Sequence, residues 1–324
     1  MWMMSVFVGI DVSKATLDLV LLTTSGTQHQ QFPNTVAGFE QLHQWLKTQP
    51  PMTRVGMEAS GRYGEGLLYF LLEQGYPVSY LNPKQIHAFA EVHLHYNKTD
   101  KQDALLIARY CQLHQPPVWQ PTSPLQRQLQ QRSRRLHALQ KMRQQEVNRL
   151  HAGLTDPFVV KQIRLLIAYF DRLIAQTQQA MHALVAQSQT LRRQHQLLVS
   201  IKGIGDQTAT LLLAELGDIT RFDTPRQLAA FIGLTPQHFQ SGTSVRKHAS
   251  ISRQGNARVR AALYMPAIVA KRWNPPCRAF AQRMEQAKKP GKVIIVALMR
   301  KLVHQIFGIL KSGRPFDPHF GLAP

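Results

Sequence analysis

Val6-Phe7-Val8-Gly9-Ile10-Asp11 is an apolar run of strand length that ends in an acid. Six such residues with two β-branched valines and an isoleucine predict a buried strand. Val12-Ser13-Lys14 reads as a turn, and Leu17 to Leu22 as the next strand. Thr24-Ser25-Gly26 is a second turn and Gln28 to Phe32 a third strand. Phe39, Leu42, His43 and Leu46 then fall at helical spacing. Thr53 to Glu58 repeats the opening pattern, a strand closed by an acid. A helix from Glu65 to Gln74, stopped by Gly75, leads to a strand at Pro77–Leu81, which Asn82-Pro83 ends. A last helix opens at Asn97-Lys98-Thr99-Asp100-Lys101-Gln102-Asp103 and continues as the apolar run Ala104 to Ala108. Three strands, helix, strand, helix, strand, helix is the order of an α/β domain with a mixed sheet.

Charge divides the chain. Residues 1–110 hold nine acids and eight bases, and the remainder nine acids and 31 bases, so a segment at −1 is joined to one at +22. That asymmetry predicts a polyanion partner for the second part. No basic n-region precedes the apolar start, so no secretory signal is expected. No run reaches the roughly 18 apolar residues of a membrane span; the longest, near Leu67–Leu72 and Val293–Met299, are of core size. Two distant cysteines, Cys111 and Cys277, exclude a zinc ribbon and suit a reducing, cytoplasmic setting. His87, His93 and His95 could be metal ligands in principle, but with no third ligand spaced for it they read as a polar surface or a nucleic-acid face.

A proline-rich linker, Gln115–Pro124, predicts a boundary after a first domain at 1–115. A helical region at 125–195 follows. Its first helix carries Arg127, Arg132, Arg134, Arg135, Lys141, Arg143 and Arg149, and Gly153 to Pro157 breaks it. In the second, Ile163, Ile167, Phe170, Ile174, Thr177, Met181, Leu184, Ser188 and Leu191 alternate four and three apart, a heptad seam. The seam predicts a helical hairpin or a coiled coil that self-associates. The third segment, 196–324, is read as mainly helical. Lys202-Gly203-Ile204-Gly205 between two helices is either a plain turn or a helix-hairpin-helix grip on a phosphate backbone. Arg246, Lys247, Arg253, Arg258 and Arg260 are further candidates for nucleic-acid contact.

Two constellations could carry chemistry. Asp11 and Glu58 each end a strand of one sheet. Asp100 and Asp103, three apart at a helix start, share a helix face. As helix-capping residues the last pair needs no function. Together the four offer hard oxygen ligands for Mg²⁺ or Mn²⁺, which serve phosphodiester chemistry. The second constellation is Ser241-Gly242-Thr243-Ser244 beside Arg246 and Lys247, a hydroxyl held in a turn near cations. From spacing alone it is a weak nucleophile signal, and Ser244 is a rival to Ser241.

Gly9-Ile10-Asp11-Val12-Ser13-Lys14, Met57-Glu58-Ala59-Ser60-Gly61, Asn97 to Ala104, Ile204-Gly205, Gly233-Leu234-Thr235-Pro236 and Ser241 to Arg246 together resemble the DEDD transposases of bacterial insertion sequences. These are relatives of the Piv invertases and include the bridge-RNA-guided recombinases. The resemblance covers nearly the whole chain in order. It implies an RuvC-like, RNase H-fold first domain, a coiled-coil region and a C-terminal transposase domain. It further implies that Asp11, Glu58, Asp100 and Asp103 bind the metal and that Ser241 forms a covalent link to DNA. The partners it implies are a structured guide (bridge) RNA, target and donor double-stranded DNA, and further copies of the chain in a dimer or tetramer with composite sites. A junction endonuclease of the same fold, with Ser241 structural, remains the alternative. A sugar-kinase-like or actin-like ATPase also opens on Gly-Ile-Asp but leaves the basic remainder without a purpose. A non-catalytic nucleic-acid-binding module would not need the acids.

Overall fold

The structure, a computed structural model, describes residues 6–59, 61–93, 99–237, 240–241, 245–246 and 250–318. It divides into two compact units, Met1–Pro121 and Thr122–Pro324.

The first unit is a five-stranded mixed sheet. β1 (Phe7–Val12), β2 (Thr16–Thr23) and β3 (Gly26–Pro33) form an antiparallel meander, joined at 13–16 by the Ser13 hydroxyl, which bonds the Thr16 backbone. β4 (Arg54–Glu58) and β5 (Val78–Leu81) extend it in parallel, in the order β3-β2-β1-β4-β5. α1 (Val36–Lys47) and α2 (Arg62–Glu73) precede β4 and β5. Strand alternation gives β1 two different faces. Val8, Ile10 and Val12 join Leu17, Leu19 and Leu21 in a core that Phe39, Leu42 and Leu46 of α1 and Leu67, Leu68 and Leu71 of α2 complete.

The other face takes two helices, where the sequence reading expected one. α3 (Pro83–Val92) was missed because Asn82-Pro83 was read only as the end of β5. The Asn82 side chain caps the new helix at the Lys84 N–H, and Pro83 occupies its first turn, where no N–H is needed. α4 (Asp100–His114) is capped by Thr99. Phe7, Leu81, Ile86, Phe89, Leu106, Ile107 and Cys111 form the small core beneath these helices. Pro116 and Pro117 run beside β5, their carbonyls accepting from the Ser79 hydroxyl at 3.0 and 2.9 Å.

The second unit opens with a hairpin of long helices, α5 (Pro124–Leu150) and α6 (Pro157–Gln187). Arg132 donates to the Ala180 carbonyl at 2.6 Å, and Arg143 to Asp171 at 2.5 Å, so the two run antiparallel. The heptad seam stops earlier than its spacing suggested. Ser188 ends α6 and its hydroxyl caps α7 (Gln189–Val199) at the Leu191 N–H, so Leu191 belongs to another helix.

α8 (Asp206–Leu216), a single 3-10 turn at Ile219–Arg221 and α9 (Pro225–Ile232) lead into short strands. β6 (Pro236–Gln237) pairs with β9 (Ser250–Ile251), and β7 (Gln240–Ser241) with β8 (Val245–Arg246). α10 (Ala257–Ala262), α11 (Tyr264–Trp273), α12 (Pro275–Gln286) and α13 (Gly291–Ser312) complete the unit. α13 is the one helix among the described residues long and apolar enough to cross a membrane by composition, longer than the core-sized run read from sequence. Its Leu298, Leu302, Val303 and Ile306 are nevertheless fully buried in the core it shares with α7, α9, α11 and α12.

Candidate functional site

Parallel pairing of β1 with β4 sets Ile10 level with Met57, so Asp11 and Glu58 leave the sheet side by side. Asp100 and Asp103 reach the same edge because α4 lies unusually close to β1. A Cβ on Gly9 would stand 2.0 Å from the Ala104 carbonyl oxygen and 2.4 Å from the Ala108 nitrogen. Gly56 makes the same allowance one strand over, where a Cβ would meet Cys111 Sγ at 2.5 Å. Only glycine admits this approach, and it sets the first turn of α4 beside the end of β1.

The electrostatics record the meeting. Asp11 is pushed up from 3.8 to about 6, first by burial and then by the charges of Asp103, Asp100 and Glu58; a hydrogen bond from the Val12 backbone opposes the rise. All four sequence-selected acids therefore share one field. Among the described residues, no three His, Cys, Asp or Glu side chains stand close enough to hold an ion as placed. The donor set nevertheless suits a hard divalent cation: carboxylate oxygens whose mutual repulsion such an ion would relieve. In the same turn, Gln102 Oε1 is buried without a hydrogen-bond partner.

A fifth acid on this face escaped the sequence reading. Asp18 lies directly across from Asp11 on β2 and is almost fully buried. His29 Nε2 at 2.9 Å and Gln31 Nε2 at 3.0 and 3.2 Å satisfy it. The signal was available: Asp18 interrupts an otherwise apolar strand.

Ser241 lies in the second unit, its backbone on β7 opposite Val245 rather than in an open turn. Arg246 pairs with Gln240 in the same ladder. Ser244 and Lys247 lie outside the described residues. The stem of this segment is tightly drawn. Gly233 (φ 80°) and Gly255 (φ 141°) meet where side chains would not fit; a Cβ on Gly255 would be 2.3 Å from the Phe231 carbonyl oxygen. Arg260 donates to the Ile232 carbonyl at 2.8 Å, and Arg253 takes a left-handed backbone beside Gly233. Arg258 grips Glu215, whose side chain is completely buried, through Nε at 2.8 Å and Nη2 at 3.1 Å, and Asn256 donates to the same carboxylate at 2.8 Å. Arg258 and Arg260 thus have structural engagements that their position in a basic segment did not reveal.

Lys202 is exposed and Gly203 packs at φ 114° against α11. Gly205 caps α8 without a side chain, but Asp206 follows in the first turn, where its carboxylate competes for any anion drawn to the helix start. Of the three histidines, His87 faces Glu91 at 3.6 Å on the surface and His93 meets the Phe89 ring edge to face; His95 is outside the described residues.

Residues 8–159 match a transposase family of the DEDD, IS110 type, and residues 195–282 match the IS116/IS110/IS902 transposase family. A pilin gene-inverting protein of Moraxella lacunata is 34% identical over 97% of this chain and 98% of its own length. Its counterpart in Moraxella bovis matches equally. The transposase for insertion sequence element IS1328 of Yersinia enterocolitica is 26% identical over 86% of this chain and 89% of its own. The chain is thus of the class of enzymes that act in DNA recombination. Within that class it belongs to the IS116/IS110/IS902 family of transposases.

Proposed function

We propose that this chain cuts and rejoins DNA strands through a covalent serine–DNA intermediate, directed by a structured guide RNA. The observation that carries the reading is the shared field of Asp11, Glu58, Asp100 and Asp103. These four would hold Mg²⁺ or Mn²⁺, which supplies Lewis-acid stabilisation of charge on the phosphate oxygens. Ser241 Oγ attacks a DNA phosphorus and loses its proton. One P–O ester bond breaks, and the departing deoxyribose oxygen takes up a proton. The resulting serine phosphodiester conserves the bond energy, so an incoming hydroxyl reverses the step and seals a new strand.

The first unit is read as an RuvC-like, RNase H-type domain (1–115), the long hairpin as a coiled-coil element (125–195), and the remainder (196–324) as the part that carries the serine. Guide RNA, target DNA and donor DNA account for the +22 of the second segment, since several polyanions are held at once. A dimer or tetramer in the bacterial cytoplasm is the expected working form, with Ser241 of one copy meeting the acids of another. Lys202, Gly203, Gly205, Arg246, Lys247 and Arg253 remain candidates for phosphate contact; Arg258 and Arg260 would reach nucleic acid only with part of their hydrogen-bonding capacity.

Ser241→Ala is expected to abolish protein–DNA adducts, seen as denaturation-resistant bands on labelled DNA, while guide-RNA binding stays within two-fold of the parent. Adducts at the parental level in Ser241→Ala would remove the serine from the reaction. Hydrolysed ends without any adduct from the unaltered chain would favour the junction-endonuclease reading.

A further inference from the structure

α11 shows solvent an unusual stripe. Tyr264, Met265, Ile268, Val269, Arg272 and Trp273 recur at helical spacing, and all six are exposed. The opposite side of the helix is fully occupied. Pro266, Ala267 and Ala270 are buried, and the Lys202–Gly205 turn lies against them: a Cβ on Gly203 would stand 2.8 Å from the Pro266 carbonyl oxygen. Asn274, fully buried at the end of α11, fixes that turn by donating to the Lys202 carbonyl at 3.3 Å. The stripe is therefore held on a rigid helix by a packed back face.

Its C-terminal end runs into a hollow of about 440 Å³ between α11 and α12, lined by Lys271, Arg272, Arg278, Gln282 and Glu285. Glu285 is taken by Lys271 at 2.6 Å, and the Arg272 guanidinium lies 5.0 Å from the Trp273 ring centre. Residues 257–318 carry 13 bases and two acids. A second copy of this face would meet like charge, and a neutral apolar partner would leave the cations without counterions. A polyanion that also offers flat apolar surface matches both halves. Duplex DNA supplies the charge but hides its bases in the stack; a single strand exposes both.

We propose that the α11 stripe and the adjoining hollow bind a single-stranded segment of nucleic acid, with a base stacked on Trp273 and its neighbours, and phosphates at Arg272 and Arg278. From Tyr264 to Trp273 the helix rises about 14 Å, room for two or three extended nucleotides. The site rests on the reading above that this chain handles nucleic acid. It adds residues that neither the acids, nor Ser241, nor the Gly203 turn include. It also gives the exposed aromatics a purpose that phosphate contact alone would not.

The test uses the full chain and three fluorescein-labelled probes: an oligothymidylate and an oligouridylate of about twelve nucleotides, and a duplex of about twelve base pairs. Trp273→Ala is expected to weaken single-strand binding at least about five-fold and to leave duplex binding within about two-fold. Trp273→Phe should recover most of the loss. Arg272→Gln with Arg278→Gln should lower the slope of log affinity against log salt by about 1.4 for single strands. Ultraviolet cross-linking of the unaltered chain should place the attached nucleotide in the peptide 264–278, a readout independent of how any variant folds. The ratio of thymidylate to uridylate affinity distinguishes a DNA strand from an RNA strand at the same surface. Single-strand affinity unchanged in Trp273→Ala, with cross-links elsewhere, overturns the proposal. So does a fall in oligomer mass of that variant without a change in affinity, which would make the stripe a self-association face. No binding of any probe by the unaltered chain would defeat the underlying nucleic-acid reading itself.

Discussion

Two groups of carboxylates, one in each unit, do opposite work. In the second unit, four acids are matched to Arg or Lys: Glu215 to Arg258, Asp171 to Arg143, Glu146 to Arg149, Glu285 to Lys271. The most deeply buried member of that set, Glu215, takes three hydrogen bonds and fastens α8 to α10. In the first unit, Asp11 is driven toward protonation, first by burial and then by the charges of three further acids. A fold tolerates such repulsion where something outside the chain is meant to relieve it. The contrast separates acids that build the protein from acids that, in the function proposed above, hold a metal ion.

Three measurements would break or sharpen that contrast. The largest effect is expected at Glu215. Glu215→Ala leaves the Arg258 guanidinium and Asn256 amide without their partner and should cost about 3–5 kcal/mol in denaturant unfolding of the second unit. The double variant Glu215→Leu with Arg258→Met should recover part of it, because no charge is then left buried and unpaired and only the Asn256 amide lacks its acceptor. A loss below about 1 kcal/mol in Glu215→Ala would show that this acid is not structural.

Next comes Gly9→Ala. The added methyl group meets the Ala104 carbonyl oxygen and the Ala108 nitrogen, both rigid helix backbone, so α4 must lift from β1. A cost of about 1–3 kcal/mol is expected. Recombination activity should fall further than that stability loss explains, because Asp100 and Asp103 ride on the displaced helix. Full activity in Gly9→Ala would detach the helical acids from the strand acids.

The smallest effect has the most diagnostic sign. Asp11 binds its proton more tightly in the folded chain, at about 6, than unfolded, at 3.8. Its contribution to stability is therefore intact below 3.8, declines as pH rises toward 6, and stays lower above. Asp11→Asn should accordingly raise the melting temperature at pH 8 while ending DNA cleavage. Allowing for solvent screening, the gain is about 1 kcal/mol, and it should vanish near pH 3. A loss of stability at pH 8 would mean that Asp11 is a partnered structural acid like those of the second unit.

Much of this was legible in the chain itself. Strands ending in acid, the charge step after residue 110, a helix opening within 97–103 and another from Leu125 all follow from local pattern. What was missed was missed for physical reasons. Asn82-Pro83 stops a strand and starts a helix equally well, and only the packing of Ile86 and Phe89 on α4 chooses between them. Ser188 fitted the heptad as a polar interruption but caps a new helix instead. Arg258 and Arg260 looked like free cations because a sequence does not show a buried carboxylate 43 residues away or a helix-end carbonyl 28 residues away.

The sequence alone determined the alternation of strand and helix, the acidic and basic residues available, and the neutral-to-basic division. Periodicity and composition are local properties, and each residue carries its own share of them. The tertiary structure decided which acids meet and which are neutralised. That depends on two glycines letting α4 settle onto the sheet, and on a buried glutamate finding its arginine. Both are long-range encounters, set by close packing rather than by any neighbour in the chain.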